Sequence, residues 1–342
     1  MIRVGIINVT GYAGAELARL LYMHPEAKVT SVSGRSAAGK ALAEVFPHLW
    51  PLELKVSSEL DDVDFAFSAL PHGASAEAVA PLVRKGRRLV DISADFRLSD
   101  AAEYERWYGV AHPASELLAE AVYGLTELKR PAVREARLVA NPGCYPTGAL
   151  LALAPAAKGG IIEPDVVIDA KSGVSGAGRS LGLSYHYAEA NESVAAYAME
   201  GHRHLPEIVQ ELGQLWSRAE ESVRVTFQPH LVPMTRGILT TCYAPLVDGQ
   251  TVTKAEVHQL YEDFYGGEPF VRVTAEPPQT KHTWGNNLCL VYPTVDTRAG
   301  RLVVVSCIDN LVKGAAGQAI QNMNLMLGFP EAAGLDLPAV YP

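Results

Sequence analysis

The sequence predicts an α/β protein in which an N-terminal Rossmann-like, doubly wound parallel sheet is joined to a second α+β domain built on a mixed, largely antiparallel sheet. Three observations carry this. The first half alternates short apolar runs with helical ones, the βαβα rhythm of a parallel sheet covered by helices. After about Pro155 the texture changes: Gly159 and Gly160 form a break, and longer stretches follow that alternate apolar and polar residues, as antiparallel strands with one solvated face do. At roughly 150 residues per domain, a chain of 342 residues also argues for two domains.

The elements follow in order. Strands are expected at Arg3 to Ile7, Lys28 to Ser33, Asp64 to Leu70, Arg88 to Asp91 and Arg137 to Ala140, each short and rich in Val, Ile, Leu or Phe. Between the first two, a helix from about Gly14 places Leu17, Leu20 and Leu21 on one face. The second domain should carry strands near Val166 to Ala170, Arg224 to Gln228, Ile238 to Leu246, Asn287 to Tyr292 and Leu302 to Ile308. A last helix, Gly314 to Leu327, with Ala319, Ile320, Met323, Leu325 and Met326, could pack back on the first domain.

Composition excludes several classes. With 48% hydrophobic and 20% charged residues, the chain is neither disordered nor fibrous. A net charge of −9 without a long basic run leaves little for a phosphate backbone or an anionic membrane to hold. The tightest basic cluster, Arg84, Lys85, Arg87 and Arg88 around Gly86, fits the end of a helix. No stretch reaches the length of a membrane span, and Met1 and Arg3 run straight into a strand without a signal-peptide layout, so the cytoplasm is expected. The four cysteines, Cys144, Cys242, Cys289 and Cys307, show no paired spacing, so neither a disulfide framework nor a metal site is expected.

The segment Asn8-Val9-Thr10-Gly11-Tyr12-Ala13-Gly14 joins the first strand to the first helix, where backbone amides and the helix dipole can hold a pyrophosphate. Gly11 allows backbone to approach phosphate, and Gly14 allows close helix-to-strand packing. Asn8 stands where G-x-G-x-x-G has a glycine, and Asn tolerates left-handed backbone better than most residues. About 20 residues beyond such a turn, an NAD site offers a carboxylate to the ribose. Here the chain reads Ser33-Gly34-Arg35-Ser36, an arginine with two hydroxyls, which suits a 2′-phosphate and favours NADP(H).

Asn141-Pro142-Gly143-Cys144-Tyr145-Pro146-Thr147 follows an apolar strand and opens an apolar helical run. Cys144 therefore sits near a helix N-terminus, where the dipole favours the nucleophilic thiolate. The other three cysteines lie inside strand patterns and read as packing. A proton-handling partner for the thiolate is available at His202-Arg203-His204, and sequence spacing alone does not choose between the histidines. The Gly/Ser-rich stretch Lys171 to Arg179 and the segment Ser93 to Arg97 both leave strand ends carrying cations that suit a phosphate or carboxylate.

These motifs, in this order, resemble the N-acetyl-γ-glutamyl-phosphate reductases, relatives of aspartate-semialdehyde dehydrogenase. The resemblance runs nearly end to end. It covers Thr10 to Gly14, Leu70-Pro71-His72-Gly73, Asp91 to Leu98, Tyr123-Gly124-Leu125, Asn141 to Thr147, Lys171 to Arg179, His202 to Ile208, Pro229 to Gly237 and Asp309 to Ala319. It implies that Cys144 is the nucleophile and that a histidine of the His202 to His204 motif is the acid/base, of which we take His204. It also implies NADP(H) contacts from Thr10, Gly11, Tyr12, Gly14, Ser33, Arg35, Ser36, Pro71, Asn310 and Gly314, with Asn310 and Gly314 near the nicotinamide. Substrate contacts would come from Arg97, Asn141, Lys171, Ser172, Gly173, Arg179, His202 and Arg203. Residues 1–147 with 312–342 would form the NADP-binding domain. Residues 148–311 would form the catalytic and oligomerisation domain of a homodimer or homotetramer.

The implied reaction is NADPH-dependent reductive dephosphorylation of N-acetyl-L-glutamyl 5-phosphate, a step of arginine biosynthesis, through a cysteine thioester. Two other readings compete. One is the same chemistry on aminoadipyl or glutamyl phosphate attached to an acidic carrier protein, as in the lysine branch; the net charge of −9 speaks against such a docking partner. The other is a non-catalytic NADP-binding regulatory protein, against which Cys144 and both histidines argue.

Overall fold

In the computed structural model, which describes residues 1–216 and 222–342, the first apolar run forms β1 (Ile2–Ile7) and the Leu17/Leu20/Leu21 face belongs to α1 (Tyr12–Tyr22). The chain continues through β2 (Ala27–Ser33), α2 (Leu42–Val45), β3 (Val56–Ser57), β4 (Phe65–Ser68), α3 (Ala74–Arg84), β5 (Arg88–Asp91), α4 (Ala101–Tyr108), β6 (Ala121–Tyr123), α5 (Thr126–Glu135) and β7 (Leu138–Ala140). All pairings are parallel, in the order β3-β2-β1-β4-β5-β7-β6. The central strands are buried on both faces, which is why they read as continuous apolar runs. The chain winds outward from β1 through β2 and β3, then returns to start β4 on the other side of β1. The carboxyl ends of β1 and β4 are therefore where connections diverge, the position at which open α/β sheets receive ligands.

This unit comprises Met1–Gly143 and Ala315–Leu337. Its last helix, α10 (Gly317–Leu327), is buried on all sides, although only one of its faces is apolar. The polar positions are tolerated because the amide nitrogens find acceptors, although Gln318 Oε1 is left without a partner among the described residues. Gln318 Nε2 donates to Gly124 O and Thr126 Oγ1, Asn322 Nδ2 donates to Gly124 O and Asn141 Oδ1, and Asn324 Oδ1 pairs with His24 Nε2 at 2.8 Å. The helical pattern expected from Gly314 begins differently. Residues Val312–Ala316 form a π turn, in which Gly314 N donates to Asp309 O at 2.9 Å.

The second unit comprises Cys144–Gly314 and Pro338–Pro342. Residues 144–147, 312–314 and 338–342 thus fall in it rather than in the first domain expected from sequence, the first of these because α6 (Cys144–Lys158) is one continuous helix. After α6 come β8 (Asp165–Ser172), α7 (Tyr187–Ala190), β9 (Ala195–Ala196), α8 (Leu205–Gly213), β10 (Arg224–Leu231), β11 (Ile238–Pro245), α9 (Lys254–Tyr265), β12 (Val271–Val273), β13 (Cys289–Asp296) and β14 (Arg301–Ile308). They form a mixed sheet in the order β12-β13-β14-β11-β8-β10-β9. One face packs on α6, which is buried from Tyr145 to Ala157. Strand residues alternate, so β8 and β11 bury every second side chain.

No helix among the described residues is long and apolar enough to cross a membrane. The Arg84, Arg87 and Arg88 cluster is taken up locally, by Glu116, by Asp62 and by the carbonyls of Arg134 and Ala136.

Candidate active site

In the first unit the turn after β1 is left-handed at Asn8, with φ 63°. A Cβ at Gly14 would lie 2.5 Å from Asn8 O and 2.7 Å from Val9 Cα, so only glycine lets α1 start this close to the strand. Gly11 is the N-cap of α1 and its first turn carries no acidic residue, which leaves the helix N-terminus electrostatically suited to an anion. Ser33 is buried at the end of β2, whereas Arg35 and Ser36 are exposed just beyond it. Tyr12 and Pro71 are also exposed.

The loop bearing Pro71 is held from below. The Asp95 carboxylate, fully buried, accepts from Gly73 N, Ala76 N and Tyr104 OH at 2.7, 2.9 and 2.9 Å. Beside it, Asp91 accepts from Ser75 and Ser93 hydroxyls, and burial raises its carboxyl to about 6. Arg97 is buried as well, donating through Nε to Asn141 O and through Nη2 to Ile92 O. Asn141 Nδ2 donates to Ala315 O at 3.0 Å. Both residues therefore brace strand ends with these atoms.

In the second unit Cys144 is the first residue of α6 and is partly exposed, while Cys242, Cys289 and Cys307 are buried in β11, β13 and β14. Burial pushes the Cys242 thiol far up and that of Cys307 to about 12, so both stay protonated and inert. The next residue, Tyr145, sits in an aromatic cluster. Its ring stands edge-on to His202, His204 and Phe227, with centroids 5.6, 5.9 and 5.3 Å away. Its hydroxyl lies 2.9 Å from that of Tyr197. Burial, with the neighbouring phenol and Cys144 adding to it, holds the Tyr145 phenol well above its usual range, and burial does the same at Tyr197. The two histidine rings are 4.8 Å apart. His202 Nδ1 accepts from His204 N at 3.0 Å, and burial followed by Arg203 lowers its imidazole to about 4.

Gly314 closes the other side of Cys144, since a Cβ there would stand 2.8 Å from Cys144 Cβ. Asn310 is buried and clamps two loops: its Oδ1 accepts from Gly237 N at 2.7 Å and its Nδ2 donates to Ser175 Oγ at 2.9 Å. Ser172 and Gly173 lie buried at the end of β8, and Gly173 approaches Thr235 O too closely for any Cβ. Lys171 is not brought to this side. Adjacent strand residues face opposite ways, and Lys171 pairs on the half-exposed face with Asp169 at 2.5 Å. Arg179 and Arg203 are exposed. Tyr145, Tyr197 and Phe227 were not singled out by sequence reasoning. Adjacency to Cys144 could have flagged Tyr145, but Tyr197 has no local signal because its partner is 52 positions away. Among the described residues no group of three metal-ligating side chains occurs.

Known proteins share this architecture. Residues 3–136 match the family model described as "Semialdehyde dehydrogenase, NAD binding domain", and residues 144–310 match "Semialdehyde dehydrogenase, dimerisation domain". Aspartate semialdehyde dehydrogenase II of Vibrio cholerae, solved in complex with ASA, superposes with a TM-score of 0.71 at 17% identity, covering 96% of this chain and 98% of that one. The Candida albicans enzyme, solved with NADP, gives 0.70 at 14% identity, covering 96% and 98%. The fold is that of the semialdehyde dehydrogenases. N-acetyl-gamma-glutamyl-phosphate reductase of Dehalococcoides mccartyi (strain CBDB1) is 58% identical over 99% of both chains, and that of Heliobacterium modesticaldum is 51% identical over the whole of both. The chain belongs to the N-acetyl-gamma-glutamyl-phosphate reductase family.

Proposed function

We propose that this chain reduces N-acetyl-L-glutamyl 5-phosphate to the 5-semialdehyde, with release of phosphate, using NADPH. The observation that carries the mechanism is Cys144 at the start of α6, followed directly by Tyr145, whose ring meets those of His202 and His204 and whose hydroxyl meets that of Tyr197. The thiolate, favoured by the helix N-terminus, attacks the acyl carbon. The acyl–oxygen bond breaks, phosphate departs and a thioester forms on Sγ. When bound, NADPH supplies the hydride that reduces this thioester. The C–S bond of the resulting thiohemiacetal then breaks, and the aldehyde leaves as the thiolate is restored.

His204 is the better acid/base of the two histidines, because the lowered His202 imidazole is a weak proton acceptor at neutral pH. His202 instead holds the His204 backbone. In the second unit the exposed Arg179 and Arg203 would meet substrate oxygens, whereas Ser172 and Gly173, expected to do so, are buried, with Ser172 Oγ donating to Gly173 O and Gly173 N to Gly237 O. Arg97 and Asn141 act by bracing the Asn141 turn. Thr10 to Gly14, Ser33, Arg35, Ser36 and Pro71 are the residues that would hold NADP(H). The Gly14 close approach, the helix N-terminus and the arginine at the end of β2 fit a dinucleotide with a 2′-phosphate. Asn310 and Gly314 would support the nicotinamide end through the loops they order.

The chain would work as a homo-oligomer in the cytoplasm. Val167, Leu239, Tyr243, Leu290, Val303 and Val305 make a half-exposed apolar face on the sheet of the second unit, suited to a second copy. No cysteine is in a disulfide. The test is phosphate-dependent reduction of NADP⁺ with N-acetylglutamate semialdehyde, with NAD⁺ in parallel. Strong turnover with NADP⁺ is expected. Intact coenzyme binding without turnover would overturn the substrate assignment.

A further inference from the structure

We infer that Asn8 is a positioning residue that ties together the three loops receiving the coenzyme; the inference rests on the NADP(H) reading above. Asn8 occupies the left-handed corner after β1, with φ 63°, where dinucleotide folds use a glycine. Glycine would satisfy the backbone there at no steric cost, so the side chain has a separate job.

That job is visible in both ends of its amide. Nδ2 donates to Ala69 O at 2.9 Å, on the stretch that leads from β4 into Leu70-Pro71-His72-Gly73. Oδ1 accepts from Thr10 Oγ1 at 3.1 Å. The methyl of Thr10 in turn abuts Gly34, where a Cβ would lie 2.8 Å from Thr10 Cγ2, and Gly34 stands between Ser33 and Arg35. Asn8 therefore links the pyrophosphate turn to the β4–α3 loop directly, and to the loop carrying Arg35 through Thr10. These are the segments on either side of the point where the strand order reverses. Because the links are internal to the protein, they hold the loops in register before the coenzyme arrives, which lowers the ordering cost of binding.

Asn8→Gly keeps the backbone conformation and removes both links. A net contribution typical of one to two hydrogen bonds predicts that the Kd for NADPH rises about five- to thirtyfold. The loss should be carried in KM for NADPH more than in kcat, and the preference for NADPH over NADH should shrink as the Arg35 loop loosens. Asn8→Asp keeps the acceptor toward Thr10 but sets an oxygen against Ala69 O and a negative charge near the pyrophosphate. It should weaken NADPH and NADH alike and leave their ratio near that of the parent, so the shrinking ratio of Asn8→Gly is the readout that mere destabilisation would not produce. Coenzyme fluorescence titrations of the parent and both variants, with thermal unfolding alongside, make the test. Asn8→Gly binding both coenzymes like the parent would overturn the inference. A parent that binds neither coenzyme would remove the NADP(H) reading itself, and the parent titration separates the two failures.

Discussion

Adding one methyl group at Gly314 should slow the enzyme without unfolding it. In Gly314→Ala the new Cβ would stand 2.8 Å from Cys144 Cβ, 3.2 Å from Cys144 Cα and 3.3 Å from Ile308 Cδ1. Ordinary contact begins near 3.4 Å, so the start of α6 must retreat by about half an ångström or more. The Ile308 tip can give way, but Cys144 Cα and Cβ move only if the first turn of the helix moves. Overpacking of this kind costs about 1–3 kcal/mol, a drop of a few degrees in the melting midpoint. Misplacing a reacting group by about 1 Å costs on the order of 100-fold, so half that shift predicts kcat about tenfold lower. The assay is steady-state turnover together with the rate of Cys144 alkylation by iodoacetamide, on protein whose circular dichroism matches the parent. Parent-like kcat and alkylation in a folded Gly314→Ala variant would refute the claim that Gly314 sets the position of the thiol.

Three further outcomes are expected. Cys144→Ser should abolish reduction while sparing NADPH binding in a fluorescence titration; an active variant would sink the covalent route. Arg35→Ala should weaken NADPH by about tenfold or more and leave NADH nearly unchanged, as the loss of one charged contact to a 2′-phosphate requires. The third concerns pH. Burial raises Asp91 to about 6 in the folded chain, against about 3.9 unfolded, so between these values the native state holds a proton that the unfolded chain has released. The contribution of this group to stability is therefore fully present below about pH 4 and falls as pH rises through about 6, by about 1 kcal/mol between pH 5 and 7. Urea denaturation of the parent and Asp91→Asn at these two pH values should show the parent losing more than the variant, and equal losses would contradict it.

Much of the fold was legible because periodicity survives in one dimension. The buried run Phe65–Ser68 and the alternation along Asp165–Ser172 announce a parallel and a mixed sheet without any knowledge of their neighbours. Val56–Ser57, Ala121–Tyr123, Ala195–Ala196 and Val271–Val273 were not legible. Two or three residues carry no period, and these become strands only because a neighbouring strand offers them an edge. Local chemistry also announced Cys144 at a strand-to-helix turn and the arginine at the end of β2, since both depend on immediate neighbours in the chain.

Tertiary structure decided what depends on residues meeting from afar. The phenol of Tyr197 reaches Tyr145, and burial lowers His202, so the two histidines cease to be equivalent. Lys171, which composition places with Ser172, turns to the other face of the sheet because a strand alternates. Asn8 illustrates both levels. The sequence by itself shows an asparagine able to adopt the left-handed corner, but only the folded chain brings Ala69 O within reach of its amide. A residue's own conformational range is a local property, whereas hydrogen-bond partners and solvent exclusion are set by where the rest of the chain has been placed.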